Sequence, residues 1–265
     1  MNCFNPLSIG SMTFSNRQKT TLYVPMGTKA AYETANYWKE FKEIIEVGGI
    51  VTADDCAACP GGLGTTMNIE MKNIEEIVGF QFDLQLPEGV TVATNANSMY
   101  AASLTNRKVD HSLSVNKIGD NLYRFVSVSM NNCSFSGTEG TLLNVKVKAD
   151  ETIGLGDYDI KVLNAELTTA NTDLFNSIDV TSLLTIQAPE PGDVNGDMKV
   201  SVTDVSSIIG HILNDTPATF IESAADVNGD RKVSVTDAVI VIGKILNEGS
   251  ESDARKMVQT EREPQ

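Results

Sequence analysis

Positive charge is scarce in this chain. Lys and Arg number 20 against 35 Asp and Glu, a formal net charge of -15. Nucleic acid is held by clustered Lys and Arg that neutralise phosphates, so the balance excludes it as a partner. Long apolar runs are absent too: nothing approaches the roughly 18 consecutive apolar residues that a spanning helix needs. The opening residues, MNCFNPLSIGSMTF, lack the basic segment followed by an apolar segment of a signal peptide. The chain is therefore either intracellular or the downstream part of something longer, and the features below favour the second.

Catalytic signatures are missing as well. The two histidines, His111 and His211, stand alone, and no HExxH, phosphate loop or nucleophile elbow occurs. Glu75 and Glu76 are adjacent, so their side chains diverge. A glycosidase pair must instead converge across a substrate, about 5–10 Å apart. No enzyme is expected. His211 is placed on the polar side of its helix, in solvent.

Cysteines are few: Cys3, Cys56, Cys59 and Cys133. Cys56 and Cys59 form a CxxC within DDCAACPGG. Zinc would need two further ligands, and only distant residues offer them. A redox CxxC belongs at a helix start, whereas Pro60-Gly61-Gly62 follows here. Structural or incidental thiols are expected, with a Cys56–Cys59 disulfide left open.

An internal repeat stands out. DVNGDMKVSVTD at Asp193–Asp204 returns 33 residues later as DVNGDRKVSVTD at Asp226–Asp237, altered only where Met198 becomes Arg231. Calcium takes six to eight hard oxygen ligands at about 2.3–2.6 Å, from positions 1, 3, 5, 7, 9 and 12 of a twelve-residue loop. The first copy supplies Asp193, Asn195, Asp197, the Lys199 carbonyl, Ser201 and Asp204. The second supplies Asp226, Asn228, Asp230, the Lys232 carbonyl, Ser234 and Asp237. Two calcium ions are expected, one per loop. Position 12 is Asp rather than Glu, so each loop must fold closer. Position 6 is Met198 or Arg231 where a glycine would relax a positive φ, at a cost of about 1 kcal/mol. The alternative is a pair of Asx-rich turns that only cap helices.

Each loop runs into a helical pattern. Val205, Ile208, Ile209, Ile212 and Leu213 follow the first, and Ala238, Val241, Ile242, Ile245 and Leu246 the second, in the i, i+3, i+4, i+7, i+8 spacing of one face. No helical pattern precedes either loop.

The arrangement from Gly192 to about Asn247 resembles the dockerin family. The resemblance implies a small three-helix calcium-binding domain that docks onto a cohesin-type module of another chain, commonly in polysaccharide-degrading assemblies. It also implies recognition through loop positions 10 and 11: here Val202 with Thr203, and Val235 with Thr236. Valine replaces the serine common there, so specificity does not carry over. Ser206 and Ser207 of the first helix match Val239 and Ile240 of the second. These two are expected to form an apolar docking patch used in one orientation, the alternative being packing against the middle of the chain.

From about Ile50 to Ile186 the period is two. Met67, Ile69 and Met71 alternate with polar residues, as do Phe80, Phe82, Leu84 and Leu86, and Leu143, Val145, Val147 and Ala149. Many short strands without a long helix predict an antiparallel β-sandwich. GFQFDLQLPEGVTV, GTLLNVKVKA and GLGDYDIKVLNAEL resemble strands of the cohesin-like and carbohydrate-binding β-sandwich superfamily, which implies a jelly-roll of protein- or glycan-binding type. A polysaccharide partner would want an exposed aromatic platform, for which Tyr100, Tyr123, Phe125 and Tyr158 are candidates. Core packing is the expectation for them.

Residues 1–48 read as the end of another unit. Thr28 is expected to cap a short helix through Ala35, with Tyr32, Trp38, Phe41 and Ile44 as anchors. TTLYVPMGTKAAYETANYWKEFKEIIE resembles the last repeat and cap of the leucine-rich repeat family of bacterial surface antigens, with CFNPLSIGSMTFSN as a partial repeat before it. This implies an extracellular or cell-surface parent; the alternative is a helical subdomain packed on the sandwich.

The expected fold is thus mainly β and multi-domain: a leucine-rich repeat cap fragment (1–48), a cohesin-like sandwich (49–188), a linker (189–192), a dockerin (193–249) and a disordered tail (250–265). Three functions compete. One is a calcium-dependent docking module for surface assembly or adhesion. Another is a carbohydrate-binding adhesin with the dockerin as a clamp. The last is an intramolecular sandwich–dockerin pair.

Overall fold

A computed structural model describes residues 5–25 and 27–260, with side chains through Asn247. Cys3 lies outside the described residues. In the N-terminal part, β1 (Thr21–Pro25), α1 (Lys29–Thr34) and β2 (Glu43–Val47) form a strand–helix–strand unit, in which β1 and β2 pair in parallel. Its core is small and aromatic. Tyr32 meets Trp38 edge to face at 5.2 Å, Val24 and Ile44 are buried beside them, and Phe41 packs on the cluster. Trp38 Nε1 donates to the Leu7 carbonyl at 2.7 Å. α1 begins after Thr28 as expected, but the threonine hydroxyl turns back to the Pro25 carbonyl. Glu46 Oε1 accepts the Lys29 N–H instead, because the parallel register sets β2 beside the helix start.

The middle of the chain is a sandwich of two sheets. Its strands are β3 (Gly49–Ala53), β4 (Cys56–Ala58), β5 (Thr65–Asn73), β6 (Ile77–Gln85), β7 (Val90–Val92) and β8 (Ala102–Leu104), then β9 (His111–Gly119), β10 (Leu122–Ser129), β11 (Thr141–Ala149), β12 (Gly156–Thr169), β13 (Leu174–Asn176) and β14 (Val180–Ile186). One sheet runs β4-β14-β12-β6-β10-β9, with β13 on β12. The other runs β3-β5-β11-β7, with β8 on β11. Pairing is antiparallel except between β14 and β4.

Period-two alternation explains the faces. Met67, Ile69 and Met71 of β5 and Leu143, Val145 and Val147 of β11 point inward from one sheet, and meet Phe80, Phe82 and Leu84 of β6 from the other. Phe82 stacks on Phe125 at 4.9 Å. The outer face of β6 is buried as well at Asp83, which takes a two-pronged ion pair from Arg124 at 2.7 and 2.8 Å.

The C-terminal part holds α2 (Val202–Ile212), α3 (Glu222–Ala225) and α4 (Val235–Thr260) around a core of Val194, Val205, Ile208, Ala224, Ala225, Ala238 and Val241. α3 is a single turn ahead of the second loop, and none precedes the first. α4 continues to Thr260, into the stretch expected to be disordered from residue 250; 261–265 lie outside the described residues. Ala, Arg, Lys, Met and Gln there are strong helix formers, and can extend a helix without an apolar periodicity. Among the described residues no helix is long and apolar enough to cross a membrane.

Candidate metal loops and docking face

The two repeats close into loops with matching backbone hydrogen bonds because each acid is held by backbone N–H groups of its own turn. Asp193 accepts from Asp197 N at 3.2 Å and Met198 N at 3.0 Å, and Asp226 from Asp230 N at 3.1 Å and Arg231 N at 2.7 Å. Asn195 and Asn228 offer their side-chain oxygens to Asp197 N and Asp230 N. Asp197 and Asp230 in turn accept from Lys199 N and Lys232 N. At position 12, Asp204 reaches back to the N–H groups of Val194, Asn195 and Ser201, and Asp237 to those of Val227, Asn228 and Ser234.

Ser201 also caps α2, its hydroxyl accepting from Thr203 N while Asp204 returns to its N–H. One pair of residues therefore serves loop and helix together. Met198 and Arg231 sit at φ 70° and 68°, the left-handed conformation expected at position 6. The neighbouring Gly196 and Gly229 take φ 65° and 74°.

The donor set suits a hard cation. Asp193, Asp204 and Asp237 are buried carboxylates, and none is ion-paired with Lys or Arg among the described residues. Buried carboxylates want a compensating cation. Burial pushes the Asp193 carboxyl up to about 6, helped by nearby Asp204 and Asp197 and opposed by the Met198 and Asp197 N–H groups. Asp237 is also pushed up by burial, yet the hydrogen bonds from Ser234, Asn228 and Val227 outweigh this and hold it low. Lys199 and Lys232 are exposed, leaving only their carbonyls for position 7. Carboxylate, amide, hydroxyl and carbonyl oxygens are the ligands calcium takes, and zinc would prefer sulfur and nitrogen.

The helices divide their apolar residues. The sequence pattern put five residues of each on one buried face. Instead Val205, Ile208 and Ile212, and their equivalents Ala238, Val241 and Ile245, line the core, while Ile209, Leu213, Ile242 and Leu246 are exposed. Two helices packed in a small domain cover only a narrow stripe of each other. The exposed residues join Val202 and Val235 in two matched rows: Val202, Ser206, Ile209, Leu213 and Val235, Val239, Ile242, Leu246. Val239 is 60% exposed, so it is not packed on the sandwich; Ile240 is half-buried. Thr203 and Thr236 are exposed beside the rows, with the Thr203 hydroxyl 2.7 Å from that of Ser201.

His211 is half-buried rather than fully solvated. α2 ends at Ile212 and the chain folds back, laying Phe220 flat on the imidazole at 4.5 Å, with Thr216 Oγ1 3.0 Å from Nδ1.

Two members of the candidate aromatic platform are interior and two are half-buried against the core. Tyr123 and Phe125 are buried, Tyr100 leans edge-on against Tyr123 at 5.4 Å, and the Tyr158 hydroxyl donates to the Gly154 carbonyl. Cys56, Cys59 and Cys133 are free thiols. Burial pushes Cys56 and Cys59 up to about 11, assisted by Asp55 and Asp54 at the first and by Asp193 and Asp197 at the second.

That last contact marks a feature that sequence reasoning missed. The Pro60–Leu63 turn lies directly against the first loop. Leu63 N donates to the Asn195 carbonyl at 2.7 Å, and Cys59 Sγ lies 3.3 Å from Met198 Sδ. The available signals were the glycines after Cys59 and the single difference between the repeats.

Comparison with known proteins matches residues 191–246 to the dockerin type I domain. No curated protein matches the chain. Among solved structures, similar ones include a non-cellulosomal cohesin from Archaeoglobus fulgidus (13% identity, 53% of this chain and 91% of that one, TM-score 0.43). The seventh ScaB type I cohesin of Pseudobacteroides cellulosolvens is another (15% identity, 54% and 94%, TM-score 0.43). A third is the sixth cohesin of Acetivibrio cellulolyticus scaffoldin B, solved in complex with a Cel5 dockerin (10% identity, 53% and 99%, TM-score 0.42).

Proposed function

We propose that this chain is a non-catalytic, calcium-dependent docking module of a bacterial extracellular or surface protein, and that its dockerin unit binds a cohesin-type partner. The observation that carries this is the matched pair of oxygen-lined loops, each leading into a helix with an exposed apolar row. Asp193, Asn195, Asp197, Ser201 and Asp204, with the Lys199 carbonyl, would hold one calcium ion. Asp226, Asn228, Asp230, Ser234 and Asp237, with the Lys232 carbonyl, would hold the other. A bound ion would supply the compensating positive charge that the buried carboxylates lack. The chain's own residues do the rest: they turn the loops, cap the helices and set the rows in register.

The docking face would comprise Val202 and Thr203, Val235 and Thr236, and Val239 with Ile240. The two rows differ mainly where Ser206 of the first corresponds to Val239 of the second, which favours docking through the second helix. The partner's chemistry follows: an apolar patch ringed by polar groups, in an assembly serving polysaccharide breakdown or adhesion. The parallel β1–β2 pair supports the leucine-rich repeat reading of the N-terminal part. Thr21 pairs with Glu43, 22 residues on, with a helix between, which is the spacing of one such repeat.

The glycan-binding reading has less support, since Tyr123 and Phe125 are buried and Tyr100 and Tyr158 are half-buried against the core. The intramolecular reading is favoured by the contact of the Pro60–Leu63 turn with the first loop, and it is compatible with docking because the apolar rows remain exposed.

The test is capture of a cohesin panel by the full chain in calcium and in chelator, with Val239→Ser/Ile240→Ser alongside. Capture that needs calcium and is lost in the double variant, whose calcium isotherm is unchanged, supports the reading. Capture indifferent to both calcium and the double variant would overturn it.

A further inference from the structure

The two loops share eleven of twelve residues, yet their surroundings differ. In the second loop Asn228, Gly229, Asp230 and Arg231 are exposed, and a Cβ added to Gly229 would meet nothing within 4 Å. In the first, Asp193 through Gly196 are buried. A Cβ on Gly196 would stand 2.6 Å from Gly62 Cα, 2.9 Å from Ile221 Cδ1 and 3.3 Å from Cys59 Cβ. A Cβ on Gly62 would stand 2.4 Å from the Gly196 carbonyl oxygen. Two backbones are thus in direct contact, one from each domain.

The turn that makes this contact is itself braced. Gly61 N donates to the Ala149 carbonyl at the end of β11, Gly62 N to the Cys59 carbonyl, and β4 just before it pairs with β14. On the other side the joint is tied down as well. Gln187 N donates to Ala58, Gly192 N to Ala224, and Ile221 N to the Val194 carbonyl.

The one substitution between the repeats follows this asymmetry. Met198 occupies position 6 where the loop meets Cys59, and Arg231 occupies it where the loop meets water. A guanidinium at 198 would have to give up part of its water against Cys59, and a thioether loses less by the same contact.

We infer that the sandwich is a built-in clamp on the first calcium loop, so that the chain's two calcium sites are inequivalent: loading the first is coupled to domain docking, and loading the second is not. The inference rests on the calcium reading above. The coupling has a direct physical route, because the arc from Asp193 to Asp197 both carries ligand oxygens and rests on Gly62. Asn195 turns its side-chain oxygen into the loop and its carbonyl to Leu63 N–H. Whatever orders this arc favours both events, and linkage makes the effect reciprocal. Calcium should tighten the domain contact by the same factor by which the contact tightens calcium.

The experiment is calorimetric titration of the full chain with calcium alone, together with limited proteolysis of the Gln187–Gly192 joint in calcium and in chelator. Two variants accompany it. Met198→Arg copies the residue that the second loop already tolerates in the same left-handed conformation, so it spares every ligand. Gly62→Val lies outside the loop, at a position without positive φ, and wedges the contact from the sandwich side.

The expected result is two ions in every protein. In both variants one step weakens by about fivefold or more, the lower end of ordinary coupling, while the other stays in place. Cleavage of the joint accelerates on chelation in the unmodified chain and is already fast in the variants. Steps that do not move, or that move together, would overturn the clamp while leaving calcium binding intact. No heat from the unmodified chain would overturn the calcium reading and the clamp with it.

Discussion

The Asp204 carboxylate accepts the backbone N–H of Ser201 at 2.8 Å, three residues before it, and so closes the first loop and starts α2 with one side chain. Asp237 does the same for Ser234 at 2.9 Å. Folding of the helices and ordering of the loops are thereby joined, and metal binding should be inseparable from helix content. Adding chelator to the calcium-loaded chain is expected to reduce the helical circular dichroism signal and leave the strand signal in place. Titrating calcium back should restore it at two ions per chain. Helix content indifferent to chelation would reduce the repeat to a pair of capped turns.

Loss of the position-12 acid should be felt even without metal. Asp204→Ala removes both the calcium ligand and half of a capping box. In chelator, it should destabilise whatever helix remains by about 1 kcal/mol, the usual worth of a cap. In calcium the loss should be much larger, and limited to one of the two ions. Thermal melts followed at the helical band, with and without calcium, separate the two contributions.

The sandwich core sets the chain's largest single-residue sensitivities. Phe82 is fully buried and stacked nearly flat on Phe125. Phe82→Ala should cost about 3–5 kcal/mol, the range for emptying an aromatic site in a packed core. Urea unfolding followed by near-ultraviolet circular dichroism gives the number. A cost below about 1 kcal/mol would mean that the two sheets do not meet at this layer.

A pH limb is expected from His111. Burial holds its imidazole below the ordinary histidine value, against the pull of Asp110 and of the Val78 and Cys133 carbonyls. The unfolded chain therefore takes up this proton at higher pH than the folded chain. The stability it contributes is complete above about pH 6.5 and is lost as pH falls through the lowered folded value. His111→Phe should flatten the stability profile below about pH 6.5 and keep the stack on Phe135. A second limb, deeper in acid, belongs to Asp83. The Arg124 hydrogen bonds hold its carboxyl low against burial, so its contribution persists until the pH falls through that lowered value. A variant profile as steep as the original directly below about pH 6.5 would remove His111 from the account.

The parts of this protein legible in the sequence are those dictated by short-range geometry. Alternation along β5, β6 and β11 specifies which side chains face inward, because successive strand residues point to opposite faces. The Asp-Asn-Asp spacing of the repeats specifies a loop, because each short acidic side chain reaches the N–H groups of its own turn. The left-handed conformation of Met198 and Arg231 was equally readable, since only that turn brings position 7 around. What sequence alone could not supply depends on partners far along the chain. Five apolar residues per helix looked like one buried face, and the crossing of α2 with α4 decided that Ile209, Leu213, Ile242 and Leu246 stay outside. His211 looked solvated until the fold-back placed Phe220 over it. The difference between Met198 and Arg231 had no visible cause in the repeat itself. What distinguishes Met198 is its contact with Cys59, more than a hundred residues earlier, and only tertiary packing makes that contact, because Gly62 and Gly196 beside it leave no side chain to hold the two backbones apart.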